Sequence, residues 1–181
     1  MMRTRGFLHK LNSDRRGAAA AEMAMVLPLL LLLMFGSFEA GRFFLDEHVV
    51  LKAVRDGARY ASRQNFSNYT CPSTVNAAAE ASIRNVVRYG KQTVALGDQP
   101  RLPYWGATNS GGAQTVTVTL TCPTTLDGTA ETNKGIYQTR ADMPRVTVHA
   151  TVQYNPLFGL LNLGSGSFNL TAESQSAVMG L

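Results

Sequence analysis

Residues of the types that do chemistry are few in this chain, and their spacing does not fit known chemistries. The three histidines, His9, His48 and His149, share no metal-ligand spacing with one another or with Cys71 and Cys122. Asp127, Glu131 and Asp142 fall in one polar stretch, at separations that do not match a calcium loop. The chain has no G-x-S-x-G, no P-loop and no G-x-G-x-x-G. Gly164-Ser165-Gly166-Ser167 is read as a flexible turn, not a phosphate loop, since no strand-to-helix context follows. The sequence thus predicts no catalytic residue, cofactor, metal or small-molecule substrate, and the chain is read as not an enzyme.

Two features remain. Cys71 and Cys122 are the only cysteines, and each precedes a proline. In an exported domain they most simply form one disulfide, closing a loop of about 50 residues; two free thiols are the alternative. Glu22 is an ionisable group one turn inside an apolar segment. Such a group costs roughly 2–3 kcal/mol at a bilayer centre and less near the interface. It either sits at headgroup level, helped by the helix dipole, or meets a positive group on a neighbour.

The element that must position Glu22 is the apolar block. Met23 to Phe38 reads MAMVLPLLLLLMFGSF, without a charge. Ala18 to Phe38 is 21 residues, about 30 Å of helix and the thickness of a bilayer core. Five basic residues precede it: Arg3, Arg5, Lys10, Arg15 and Arg16, against Asp14. They account for +4 of the formal +5, leaving +1 on residues 18–181. The basic charge is therefore a cytoplasmic leader flanking a span, not a nucleic-acid footprint. Cleavage as a secretory signal is disfavoured, because Ala40 at −1 would put Phe38 at −3. Arg42, Lys52, Arg55 and Arg59 follow the span, so charge alone leaves orientation nearly balanced. The cysteines favour a cytoplasmic N-terminus and an exported C-terminal domain.

The order of these features resembles a known family. Arg15-Arg16-Gly17, Ala18 to Ala21, Glu22 and then Met23-Ala24-Met25-Val26-Leu27-Pro28 with a leucine run are similar to the start of TadE-like proteins. These are minor pilins or pseudopilins of the tight-adherence (Tad/Flp) pilus apparatus. Glu39-Ala40-Gly41-Arg42 looks like the family's E-x-G-R, and Ala53 to Ala61 (AVRDGARYA) like its A-x-R-x-G-A-R-x-A. Flp-type pilins favour an aromatic residue after the glutamate, where this chain has Met23. The resemblance implies cutting by a prepilin peptidase between Gly17 and Ala18, so that Glu22 becomes the fifth mature residue. It further implies that the carboxylate meets the N-terminal amine of an adjacent subunit. Implied partners are the inner membrane, other pilins or pseudopilins and Tad assembly proteins.

Beyond the span, Gly41 to Ser62 has apolar residues at helical spacing, with charges on the other sides. One near-continuous helix from Ala18 to Ser62 is expected, with Pro28 as a candidate kink. Gly36, Ala40 and Gly57 are candidate helix-packing positions, since small residues allow close approach; Gly and Ala are also simply common in membrane helices.

Gln64 to Pro72 reads as a polar loop and Ser73 to Tyr89 as a second helix, capped by Ser73 or Thr74 and ended by Gly90. Gln92 to Gly112 reads as loop, with Tyr104 and Trp105 folded back on the core. Strands are expected over Gln114–Cys122, Met143–Tyr154 and Phe168–Val178, the last with Phe168, Leu170 and Ala172 alternating. The apolar stretch Asn155 to Gly166 is a candidate subunit contact or a piece of core.

The expected fold class is α+β, a long membrane-rooted pilin-like helix packed on a small antiparallel sheet domain. Its parts are a leader (1–17), a transmembrane helix (18–40), an amphipathic continuation (41–62) and an exported α+β domain (63–181). The function expected is structural: a single-pass inner-membrane subunit supporting pilus biogenesis, adherence or secretion. Its rival is an unprocessed membrane-anchored periplasmic binding module.

Overall fold

The structure is a computed structural model that describes residues 17–105, 115–123, 135–137, 142–156 and 168–180. The chain divides into two compact units, Met1–Arg42 and Phe43–Leu181. Helix α1, Ala18–Ser62, contributes to both. Its composition explains its length: Ala, Leu and Met dominate the first half, and all three are strong helix formers. Pro28 lies inside it and removes one backbone donor, yet the helix runs on.

Within the second unit, α1 buries Val50, Ala53, Val54, Gly57, Ala58, Ala61 and Ser62, the one face at helical spacing. The helix ends at Ser62, whose Oγ donates to the Arg59 carbonyl at 2.8 Å. A 3₁₀ turn follows over Phe66–Asn68, with Asn65 Oδ1 accepting from the Ser67 amide at 2.9 Å. Strands β1 (Tyr69–Thr70) and β2 (Thr74–Val75) then pair antiparallel. Helix α2, Ala77–Tyr89, is capped by Asn76, whose side chain accepts from the Ala78 amide at 2.9 Å. Gly90 closes it in the left-handed region, φ 74°, its amide donating to Val86 O. Glu80 in the first turn and Arg88 in the last complement the helix dipole.

The main sheet holds β3 (Thr115–Thr121), β4 (Arg145–Gln153) and β5 (Asn169–Ala177), in that order and antiparallel throughout. Register runs without a break from Thr115↔Thr151 to Thr121↔Arg145, and from Arg145↔Ala177 to Gln153↔Asn169. The strict two-residue alternation of β4 buries Val146, Val148, Ala150 and Val152 on one face. These meet Val54 and Ala58 of α1, Ile83 and Val87 of α2, and Leu102 and Trp105 in one core. The architecture is therefore α+β, helix on antiparallel sheet, as expected. Tyr104 and Trp105 are buried in that core.

Four local expectations are corrected. The second helix starts at Ala77, not Ser73, because Thr74 and Val75 pair with β1 and Asn76 supplies the cap. Gln64 to Pro72 is not loop throughout: it holds the 3₁₀ turn and β1. Phe168 does not share the inward face of β5; it precedes the strand and is 63 % exposed. The strands are one or two residues shorter than the alternation suggested, at the C-terminal end of β3 and at both ends of β4 and β5. The leader up to Arg16, Asp127, Glu131 and most of the apolar 155–166 stretch lie outside the described residues.

Candidate functional site

Gly17 and Ala18 stand where α1 begins, Ala18 being its first residue. Glu22 follows four residues on, a little over one helical turn, and is exposed. Among the described residues its carboxylate has no hydrogen-bond or ion-pair partner. From Met23 to Phe38 twelve large apolar side chains are exposed. That is far beyond the apolar patch a soluble monomer carries. By length and composition, α1 is the single helix among the described residues able to cross a membrane, and none of its apolar window is buried.

The span also deals with its own polar groups. Ser37 Oγ donates to the Met34 carbonyl at 2.8 Å, so its donor is satisfied within the helix. Gly36 lies on this exposed stretch, with nothing within 4 Å of a Cβ built on it, and Ala40 is likewise exposed.

Gly57 is placed differently. It is buried in the second unit, where an added Cβ would overlap Val87 Cγ2 and sit 3.7 Å from Val148 Cγ1. Its lack of a side chain lets α1 approach α2 within one chain. Gly57 is thus buried within the second unit, whereas Gly36 and Ala40 are exposed in the first.

Polar contacts fix the rest of the second unit on α1. Tyr104 donates its hydroxyl to Asp46 Oδ2 at 2.7 Å. Arg101 pairs with Asp56 at 2.9 Å. Tyr69 donates to the Ala61 carbonyl at 2.6 Å, and burial, with a smaller contribution from Tyr60, pushes its phenol up to about 12. Lys91, with the Ala95 amide, holds Asp98 below the usual carboxylate range. Cys71, in the β1–β2 turn, is joined to Cys122, just past β3, in a disulfide with Cα atoms 5.8 Å apart. It staples the small hairpin to the main sheet. Asp46, Asp56 and Arg101 were not singled out in the sequence, and Tyr104 was expected on the core but not as a partner of Asp46. The helical spacing of Asp46 and Asp56 gave no sign of which loop would reach them.

No group of three or more potential metal ligands occurs among the described residues. The arrangement offers a helix long and apolar enough to cross a membrane, a carboxylate near its start and a stapled domain.

Residues 17–59 match the family model of TadE-like proteins. This stretch is a TadE-like segment. It covers 43 of the 181 residues, about a quarter of the chain. It begins at Gly17 and takes in Ala18, Glu22, Gly36, Ala40 and Gly57, but neither cysteine. No curated protein and no solved structure matches the chain. The TadE-like segment associates the protein in general terms with the Tad pilus, the membrane and pilin or Tad partners. TadE-like proteins are pilus components rather than a known enzyme family.

Proposed function

We propose that this chain is a structural subunit of a Tad-type (Flp) pilus, a minor pilin or pseudopilin that supports pilus assembly, adherence or secretion. It is anchored in the bacterial inner membrane with its N-terminus in the cytoplasm and the stapled domain outside. A prepilin peptidase removes residues 1–17, and Ala18 carries the new amine. Glu22 then pairs with the corresponding amine of a neighbouring pilin. The observation that supports this reading is the carboxylate of Glu22, unpartnered among the described residues at the start of a helix whose membrane-length apolar window is wholly exposed. A membrane charges heavily for such a group unless a cation meets it. In this reading the new amine of another copy or another pilin supplies that cation.

Two variants test the assignment in the native host. Gly17→Leu leaves a slower-migrating, uncut form in the membrane. Glu22→Ala still inserts but no longer co-purifies with the other pilins. Full pilus assembly by Glu22→Ala cells would defeat the proposal.

A further inference from the structure

Contacts within the second unit fix the direction in which α1 crosses the sheet. The Phe43 ring lies 5.2 Å from that of Tyr154, edge to face, just past the end of β4. At the other end the Ser62 carbonyl accepts from the Met179 amide at 2.7 Å, beside the Val178 amide's bond to Pro144. The unit's part of α1 therefore starts at the Tyr154 end and finishes at the Pro144 end. Between those two residues lie about 33 Å of extended chain. At the Tyr154 end, the Tyr154 amide donates to the Phe168 carbonyl at 2.8 Å, so Phe168 adds one pair to the β4–β5 ladder. Phe168 is 63 % exposed, and beside the Phe43 ring Phe44 and Leu45 are 58 % and 68 % exposed. Phe44 and Phe168 are the two exposed phenylalanines of the second unit among the described residues.

Scattered exposed apolar side chains are ordinary. These three differ in sharing one level of the unit while pointing to different sides. Phe44 and Leu45 are about 100° apart around α1, and Phe168 stands on the sheet. A protein docked on one side would cover part of that set, whereas a bilayer meets a helix on every side. The chain also holds this end close to lipid. Phe43 follows Phe38, the last residue of the apolar block, by five residues of α1, about 8 Å of helix rise. The headgroup layer on each side of a bilayer core is about 5–8 Å thick. Residues 155–167, which join Tyr154 to Phe168, carry no charge, so that connection brings no ion to be desolvated. Asp46 and Glu47 come directly after Leu45 and limit the contact to a shallow one.

We propose that Phe44, Leu45 and Phe168 rest in the interfacial layer of the bilayer that α1 crosses, giving the second unit a membrane contact of its own beside the span. Apolar side chains at that depth gain by leaving water, and a contact on both helix and sheet fixes how the unit stands on the membrane. The inference rests on the reading of α1 as a membrane span and holds whether or not the leader is cut.

The test adds one tryptophan at a time to the full chain, in nanodiscs of phosphatidylcholine brominated on the acyl carbons nearest the headgroup. Bromine quenches tryptophan on close contact, and Trp105, 1 % exposed in the core, supplies a constant background. Leu31→Trp, in the apolar block, reports whether α1 spans. Ile136→Trp reports the far end of the unit, since it adjoins Tyr137, whose hydroxyl donates to the Val178 carbonyl. Compared with unbrominated discs, Leu31→Trp, Phe44→Trp, Leu45→Trp and Phe168→Trp should each lose most of the added emission, and Ile136→Trp none. Emission retained at any of the three contact positions, with Leu31→Trp quenched, would overturn the proposal and leave the span standing. If that retained emission moved to shorter wavelength as more copies shared a disc, the side chains would belong to contacts between subunits. Equal loss at Ile136→Trp would overturn the proposal as well, because the whole unit would then lie on lipid. No loss at Leu31→Trp would remove the span itself and the proposal with it.

Discussion

Gly57 offers the sharpest test of how α1 is held by the rest of its unit. In an exposed helix interior, Gly→Ala stabilises by about 1 kcal/mol, because alanine has less backbone freedom to lose. At Gly57 the new methyl overlaps Val87 Cγ2. Val87 and Val148 are fully buried, and a β-branched side chain has little rotamer freedom with which to retreat. Overpacking of this kind costs about 1–3 kcal/mol. Gly57→Ala should therefore destabilise by roughly 0–2 kcal/mol net, and Gly57→Leu by more than about 3 kcal/mol. Trp105, the single tryptophan, is 1 % exposed within the same core, so its fluorescence reports unfolding of this unit. A urea titration of the full chain in nanodiscs, with Gly57→Ala, Val87→Ala and the double variant, completes the cycle. The double variant should be more stable than the sum of the singles by at least about 1 kcal/mol, because Val87→Ala makes room for the methyl. If Gly57→Ala alone stabilised by about 1 kcal/mol and the cycle were additive, the close approach of α1 and α2 at this residue would be refuted.

Replacing Cys71 and Cys122 by serine should cost about 4 kcal/mol on the loop-entropy account of a bridge across 51 residues; alkylation of both thiols without prior reduction, read by intact mass, would show that no bridge exists. Tyr104→Phe removes the hydrogen bond to Asp46 and should lower stability by about 1–2 kcal/mol, measured by the same titration. The phenol of Tyr69 is raised to about 12 by burial. Its neutral form is thus favoured in the folded state, and its contribution is complete below pH 10 and lost as pH rises from 10 towards 12. Tyr69→Phe should flatten that part of the stability–pH profile, and an unchanged slope would contradict the assignment.

Long periodic signals were legible in the sequence. Helix α1 follows from an uninterrupted apolar block joined without proline to an amphipathic stretch, and β4 from four inward residues at strict alternation. The burial of Trp105 followed from its apolar bulk between glycines and prolines. What escaped was set by tertiary pairing. Thr74 and Val75 carry no strong strand signal of their own; β1 recruits them, which moves the cap of α2 to Asn76. Gly57 fits a small-residue pattern equally well in a membrane interface and in a core, and only the approach of Val87 decides its surroundings. Of the candidate site, Gly17, Ala18 and Glu22 were singled out from local sequence alone, and the structure places Ala18 as the first residue of α1.

The central claim concerns what happens at Gly17. Protein isolated from the membranes of the native host should be measured by intact mass and N-terminal sequencing. A processed pilus subunit begins at Ala18, with Glu22 as its fifth residue. An N-terminus at Met1 or Met2 in actively piliated cells would contradict the account in favour of an uncut anchor, and one near Gly41 would contradict it in favour of ordinary secretion.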